Sequence, residues 1–187
     1  MGSAVMILAP GFEEIEALTV VDVLRRCDVR IDIAGFDSKF VEGAHDIKVI
    51  PDMHLDEINI ENYDALILPG GAPGYVNLRN NTRVIELVKD AFKKGKLVAA
   101  ICAAPCVLAD AGILQGKKAT IYPGMEDEIR KGGAEVKEDL VVQDGNIVTS
   151  RGPSTAILFA WKLGEILAGK EKVEQVSKRM LRDMVFG

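Results

Sequence analysis

Residues Lys96–Gly112 read KLVAAICAAPCVLADAG, and the fold of the chain turns on how this stretch is parsed. Its first part, through Ile101, is an apolar run with no polar alternation. A strand of that kind is buried on both faces, as in a parallel sheet covered by helices. From Ala104 onward the sequence, APCVLADAG, suits a helix and stops at Gly112, a residue fitted to a helix C-terminus. Cys102 falls between the two.

Working outward, AVMILA (Ala4–Ala9) and DALILPGG (Asp64–Gly71) are two more apolar strands of the same type. VRIDIAGF (Val29–Phe36) predicts a strand, and IKVIP (Ile47–Pro51) a further one. PGFEEIEALTVVDVLRR reads as a turn and a helix, with Ile15, Leu18, Val21, Val23 and Leu24 on its inner face. TRVIELVKDAFKKG is an amphipathic helix ending at Gly95. KATIY reads as another strand, and the Asp144-Gly145 turn within LVVQDGNIVTS predicts a hairpin. Helices over Ser154–Ala168 and Lys170–Met184 follow. With no repeat, low-complexity segment or linker, one domain is expected over residues 1–187. Strands alternating with helices imply an α/β fold: a mainly parallel sheet with helices on both faces.

Composition limits the function. A net charge of −5 argues against a nucleic-acid or anionic-membrane surface, which needs clustered Lys and Arg. No leader pattern opens the chain, and no apolar run approaches the ~20 residues of a membrane span. A soluble, cytoplasmic protein is expected. Three cysteines without framework spacing fit a reducing compartment better than a disulfide scaffold.

In sheets of this kind, ligands collect at the carboxyl ends of strands near a topological switch point. That rule selects PGFEEIE, PGGAPG and ICAAP. Cys102, between strand and helix, has the position of a nucleophile elbow, where the unpaired amides of the helix favour a thiolate. Local sequence alone is equally consistent with a small buried hydrophobe. Cys106, one helical turn on, and Cys27 read as core. C-x-x-x-C is not a redox C-x-x-C, and the donors of a zinc site are not assembled. If Gly70 or Gly71 faces Cys102, its amide and that of Ala103 form an oxyanion hole; an ordinary turn is the alternative. Lacking G-x-G-x-x-G spacing, the loop is not expected to hold a dinucleotide, and neither metal nor cofactor is expected. Glu13 and Glu14 suit a solvated helix start. Glu16, among Ile15, Ala17 and Leu18, is a half-buried carboxyl whose pKa would rise, able to hydrogen-bond a thiolate or shuttle protons. The two histidines, His45 and His54, end no core strand, so a Cys-His pair is not supported and a surface or interface role fits them better.

The motifs ILAPGFEEIEA, VDVLRR, PDMHLDEI, YDALILPGG, VAAICAAP and VTSRGPSTA, in this order, resemble the ThiJ/PfpI superfamily, in its DJ-one branch, that of the parkinsonism-associated protein deglycase. The resemblance spans nearly the whole chain. It implies a flavodoxin-like three-layer α/β sandwich, a homodimer, an elbow cysteine at Cys102 and a partner carboxyl at Glu16. It also implies amides near the sulfur at Gly70, Gly71 and Ala103, and site neighbours at Tyr122, Arg26 and Arg151. The implied activity is cofactor-free glyoxalase or deglycase chemistry on a small reactive aldehyde, methylglyoxal going to lactate. The alternative is an oxidative-stress sensor or chaperone using the same cysteine. Some features depart from the pattern. Ala103 stands where peptidase-like members carry histidine, and TIYP places Tyr122 where close relatives carry a histidine. His45 replaces a second interface arginine, and no His-x-Glu pair of glutamine amidotransferases is present. Peptidase and glutaminase activities are therefore not implied.

Overall fold

The computed structural model describes residues 2–37 and 39–187. Along the chain run β1 (Ser3–Leu8), α1 (Glu14–Arg26), β2 (Arg30–Gly35), β3 (Val41–Glu42), β4 (Lys48–Val49), β5 (Met53–His54) and β6 (Ala65–Leu68). Then follow α2 (Gly74–Arg79), α3 (Thr82–Lys93), β7 (Leu97–Ile101), α4 (Pro105–Asp110), β8 (Lys118–Ala119), α5 (Glu126–Lys131) and β9 (Glu135–Val136). β10 (Val141–Asp144), β11 (Ile147–Ser150), α6 (Ala156–Ala168), α7 (Lys170–Arg179) and α8 (Arg182–Phe186) complete the order.

Seven strands form one sheet in the order β10-β11-β7-β6-β1-β2-β5. All pairings are parallel except the β10-β11 hairpin, which is antiparallel. The apolar runs follow from this register, because successive side chains enter different cores. On β1, Val5 and Ile7 face one cluster while Ala4, Met6 and Leu8 face the other. On β7, Val98 and Ala100 face the first, and Leu97, Ala99 and Ile101 the second. Helices α2 to α5 cover the first face, and α1, α6 and α7 the second. The result is the flavodoxin-like α/β sandwich. No helix among the described residues is long and apolar enough to cross a membrane.

Several local expectations change. The buried stripe of α1 is Ala17, Val20, Val21 and Leu24, with Val23 beside it. Ile15 and Leu18 lie off that stripe and are exposed, Ile15 by 56 %. Residues Ile47–Pro51 do not join the main sheet. β4 pairs antiparallel with β3 in a separate ribbon, and Ile50 points outward. KATIY supplies only β8, which pairs with β9 in a second small sheet. The last helix divides at Leu181, whose φ of 64° is left-handed. There Arg182 turns back onto Glu174, and Phe186 packs edge-on to Trp161 at 5.5 Å. The short helices α2 and α5 had no periodic signal and were not anticipated.

Candidate active site

β1 leads to β2 on one side, while β6 returns to its other side, so the chain reverses direction across the sheet between β1 and β6. The loops after β1, β6 and β7 lie side by side at their carboxyl ends, as the switch-point rule requires. Backbone bonds bind them together. Glu13 N–H donates to the Gly70 carbonyl (3.0 Å), and Gly74 N–H to the Gly11 carbonyl (3.1 Å).

Cys102 has φ 63°, a left-handed conformation that a residue with a side chain adopts at a cost of roughly 1–2 kcal/mol. The elbow is pinned on both sides. Cys102 N–H donates to the Ser150 carbonyl (3.0 Å), and Tyr122 N–H donates to the Cys102 carbonyl (2.8 Å). Ala99, Ala100, Ala103 and Ala104 are buried around it, as small residues at so tight a turn must be.

Glu16 is fully buried, more deeply than half-burial would give. Its Oε2 accepts the Gly70 N–H at 2.7 Å, while Oε1 is buried and accepts no hydrogen bond. A Cβ built on Gly70 would sit 2.6 Å from Cys102 Cβ, 2.9 Å from Glu16 Oε2 and 3.1 Å from Cys102 Sγ. The thiol, the carboxyl and the loop thus meet at a point that admits no side chain.

The electrostatics of the pair follow from this burial. Burial raises the Glu16 pKa to about 7 against the Gly70 hydrogen bond, so the carboxyl carries its proton over much of the neutral range. Cys102 is pushed up to about 12, first by burial and then by the charge and hydrogen bond of an ionised Glu16. The amides of Ala103 and Gly71 act the other way. The expected helix contribution to a thiolate is therefore outweighed: α4 has only six residues and begins three positions beyond the sulfur. The opposition eases when Glu16 holds its proton, because its negative charge is then gone. Of the two, Glu16 at about 7 gives up its proton before Cys102 at about 12, so the thiol is held protonated by burial and, once Glu16 has ionised, by its charge as well.

Of the amides expected near the sulfur, Gly71 and Ala103 are in place, whereas that of Gly70 is committed to Glu16. Over the thiol lies a pocket of about 210 Å³, lined by Gly71, Ala72, Tyr75, Cys102, Ala103, Tyr122 and Met125. Tyr122 thus borders the pocket. Arg151 does not line the pocket; it pairs with Glu126 (3.4 Å) and donates to the Glu138 carbonyl (3.1 Å). Arg26 lies ten residues along α1 from Glu16, about 15 Å at the helical rise, and pairs with Asp22 at 2.7 Å. Tyr75, on α2, and Met125, just before α5, were missed in the sequence because neither helix is long enough to show periodicity. Their one signal is position, Tyr75 directly after PGGAPG and Met125 two residues after TIYP.

Cys106 and Cys27 are buried in the two cores. Glu13 and Glu14 are not solvated: the β3-β4 ribbon folds over the start of α1 and buries both. Glu14 accepts the His45 N–H (2.7 Å) and meets His45 Nδ1 at 2.8 Å. Burial raises the Glu14 pKa, but the His45 bonds outweigh it and hold it below the ordinary value; His45 is raised in turn by Glu14. Glu13, Glu14 and His45 also bring three possible cation ligands within 4.8 Å of one another. The Glu14–His45 pairing already accounts for that arrangement, and none of the three lines the Cys102 pocket.

Comparison with known proteins accords with this geometry. The family model described as DJ-1/PfpI family matches residues 2–166. Protein dj-1beta of Drosophila melanogaster is 42 % identical over 180 residues, covering 96 % of each chain. Its crystal structure superposes with a TM-score of 0.93 over 96 % of this chain and 97 % of that one. Deglycase PH1704 of Pyrococcus horikoshii is 40 % identical over 154 residues, 82 % of this chain and 90 % of that protein. A structure named Toxoplasma gondii DJ-1, oxidized, superposes with a TM-score of 0.90 at 36 % identity, covering 97 % of this chain and 98 % of that one.

Proposed function

The chain belongs to the DJ-1/PfpI family, and from that premise we propose that it is a cofactor-independent glyoxalase, a single domain over residues 1–187 that works in the cytoplasm as a homodimer. The observation that carries the reading is the meeting of Cys102 and a protonatable, fully buried Glu16 at Gly70, under a pocket open to a small aldehyde. The Cys102 sulfur adds to the aldehyde carbon of a 2-oxoaldehyde, giving a hemithioacetal whose oxygen lies near the amides of Gly71 and Ala103. Glu16 moves the proton from that carbon to the neighbouring carbonyl carbon through an enediol, which leaves a 2-hydroxy thioester. Water then hydrolyses the thioester, releasing the hydroxy acid and the thiol. Atoms and electrons balance with one water and no cofactor. A carboxyl whose pKa lies near the working pH is suited to both halves of that transfer.

The test is lactate formation from methylglyoxal by wild type, Cys102→Ser and Glu16→Gln. Cys102→Ser should form no lactate above background, and Glu16→Gln at least a hundredfold less, on the scale of a lost general acid-base. Parental turnover by Cys102→Ser would sink the proposal. Deglycase activity on glycated protein or nucleotide would use the same thiol. The second reading, an oxidation sensor, rests on Glu16 Oε1: buried without a partner, it is free to hydrogen-bond an oxygen added to the sulfur. Intact mass after mild peroxide separates the two. A gain of two oxygens at Cys102 in a protein with negligible turnover favours the sensor.

A further inference from the structure

The pocket over Cys102 is as informative for what it lacks as for what it holds. No charged side chain among the described residues lines it; its outer wall is Ala72, Tyr75, Tyr122 and Met125. The one arginine close in sequence to the neighbouring strand end, Arg151, has its guanidinium engaged by Glu126 and by the Glu138 carbonyl. Glu16, beneath the thiol, would repel an anion if ionised and donates to the reacting atoms if not. A carboxylate or phosphate next to the reacting carbonyl would therefore be desolvated against apolar groups with no cation to meet it, which is strongly unfavourable. An apolar substituent would instead displace water from an apolar wall and gain by it.

The wall is aromatic and held in place. Tyr75 N–H donates to the Gly71 carbonyl (2.8 Å), fixing α2 to the loop that carries the amide near the sulfur. Tyr122 is tied to the elbow itself through the Cys102 carbonyl. Its ring lies along Gly152, where a Cβ would come within 3.4 Å of Cδ2 and 3.6 Å of Cε2. Tyr122 is 46 % exposed and its ring borders the pocket, so a substrate group laid against it removes apolar surface from water. Offset or edge-to-face contact with a substrate ring adds to the area it buries.

Building on the glyoxalase reading above, we infer that the site takes uncharged 2-oxoaldehydes bearing an apolar substituent, aryl ahead of methyl, and that Tyr122 is the residue that sets this preference. Phenylglyoxal, going to mandelate with the addition of one water, is the better substrate. Methylglyoxal is the lesser one, and 2,3-dioxopropanoate, a 2-oxoaldehyde that carries a carboxylate beside its ketone and would go to tartronate with one water, the poorest.

The experiment measures kcat and KM for phenylglyoxal, methylglyoxal and 2,3-dioxopropanoate, by formation of the hydroxy acid, with wild type, Tyr122→Ala, Tyr122→Phe and Cys102→Ser. Wild type should favour phenylglyoxal over methylglyoxal in kcat/KM and disfavour 2,3-dioxopropanoate by at least tenfold. Tyr122→Ala should lower the phenylglyoxal-to-methylglyoxal ratio by about three- to tenfold, chiefly through KM. Tyr122→Phe, which keeps the ring, should retain the wild-type ratio. The inference is overturned, with the glyoxalase reading intact, if Cys102-dependent turnover favours methylglyoxal or 2,3-dioxopropanoate. It is overturned equally if Tyr122→Ala leaves the ratio unchanged. A wild type inert to all three aldehydes overturns both.

Discussion

A carboxyl buried at Glu16 is comfortable as an acid and costly as an anion, and this has a measurable consequence for stability. Its ordinary pKa of 4.5 rises to about 7 in the folded chain. Below pH 4.5 the folded and unfolded chains both hold the proton and nothing is lost. Between these values the unfolded chain gives up its proton while the folded one keeps it, so stability falls as pH rises through about 7. Ionising the group in place costs on the order of 3 kcal/mol. Glu16→Gln keeps an acceptor for the Gly70 N–H and removes the charge. It should match wild type in urea denaturation near pH 4.5 and exceed it by about 2–3 kcal/mol at pH 8.5. Equal stability of the two at pH 8.5 would show that Glu16 ionises in place without that cost. Cys102 and Glu16 were legible in the sequence because each is defined locally, one by the end of an apolar run and the other by its helical neighbours. The burial of Glu13 and Glu14 was not, because the ribbon that covers them arrives from about thirty residues away and no local pattern encodes it.

At the scale of elements, the loop after β6 does more than turn the chain. Gly70→Ala would drive a methyl group to within 2.6 Å of Cys102 Cβ, an atom held by the pinned elbow. It should lower stability by about 1–3 kcal/mol, the usual cost of overpacking. It should also reduce turnover at least tenfold, by separating thiol and carboxyl. Thermal unfolding and lactate formation measured together check both. A variant with parental turnover would mean that the two groups need not converge there. Helix α3 offers a contrast far from the site: Asn81 caps it by accepting the Val84 N–H (3.2 Å). Asn81→Ala should cost about 1 kcal/mol and leave turnover unchanged. The strands β1, β6 and β7 were readable because burial on both faces leaves an unbroken apolar run. Short α2 and α5, and the two-residue strands β4 and β8, are set by what packs on them rather than by their own sequence.

For the whole molecule, the face that the sequence misassigned is the one that bears on assembly. Ile15 and Leu18 on α1, with Ile47 and Ile50 on and beside the adjoining β3-β4 ribbon, are exposed. Exposed apolar side chains on neighbouring elements mark an interaction surface. A homodimer through this face predicts about twice the 20.3 kDa chain mass in solution by light scattering. The double variant Ile15→Glu, Leu18→Glu should then run as a monomer. A wild type already monomeric at micromolar concentration would remove the homodimer from the proposed function. Periodicity places both residues inside, since it records which positions are apolar and not whether any part of the chain covers them.

The sheet also acts as a partition. Cys102 packs with the cluster that holds α1, on the same side as the helix carrying Glu16, whereas Tyr75 and Met125 pack with the opposite cluster. Cys102 on one side, and Tyr75 and Met125 of the outer wall on the other, thus belong to separately packed clusters, while Tyr122 is bonded to the elbow itself. Substitutions in one half need not disturb the geometry of the other. Divergence in substrate can therefore proceed through the α2 and α5 side while the reactive pair stays fixed, and a designer seeking new selectivity should vary that side alone.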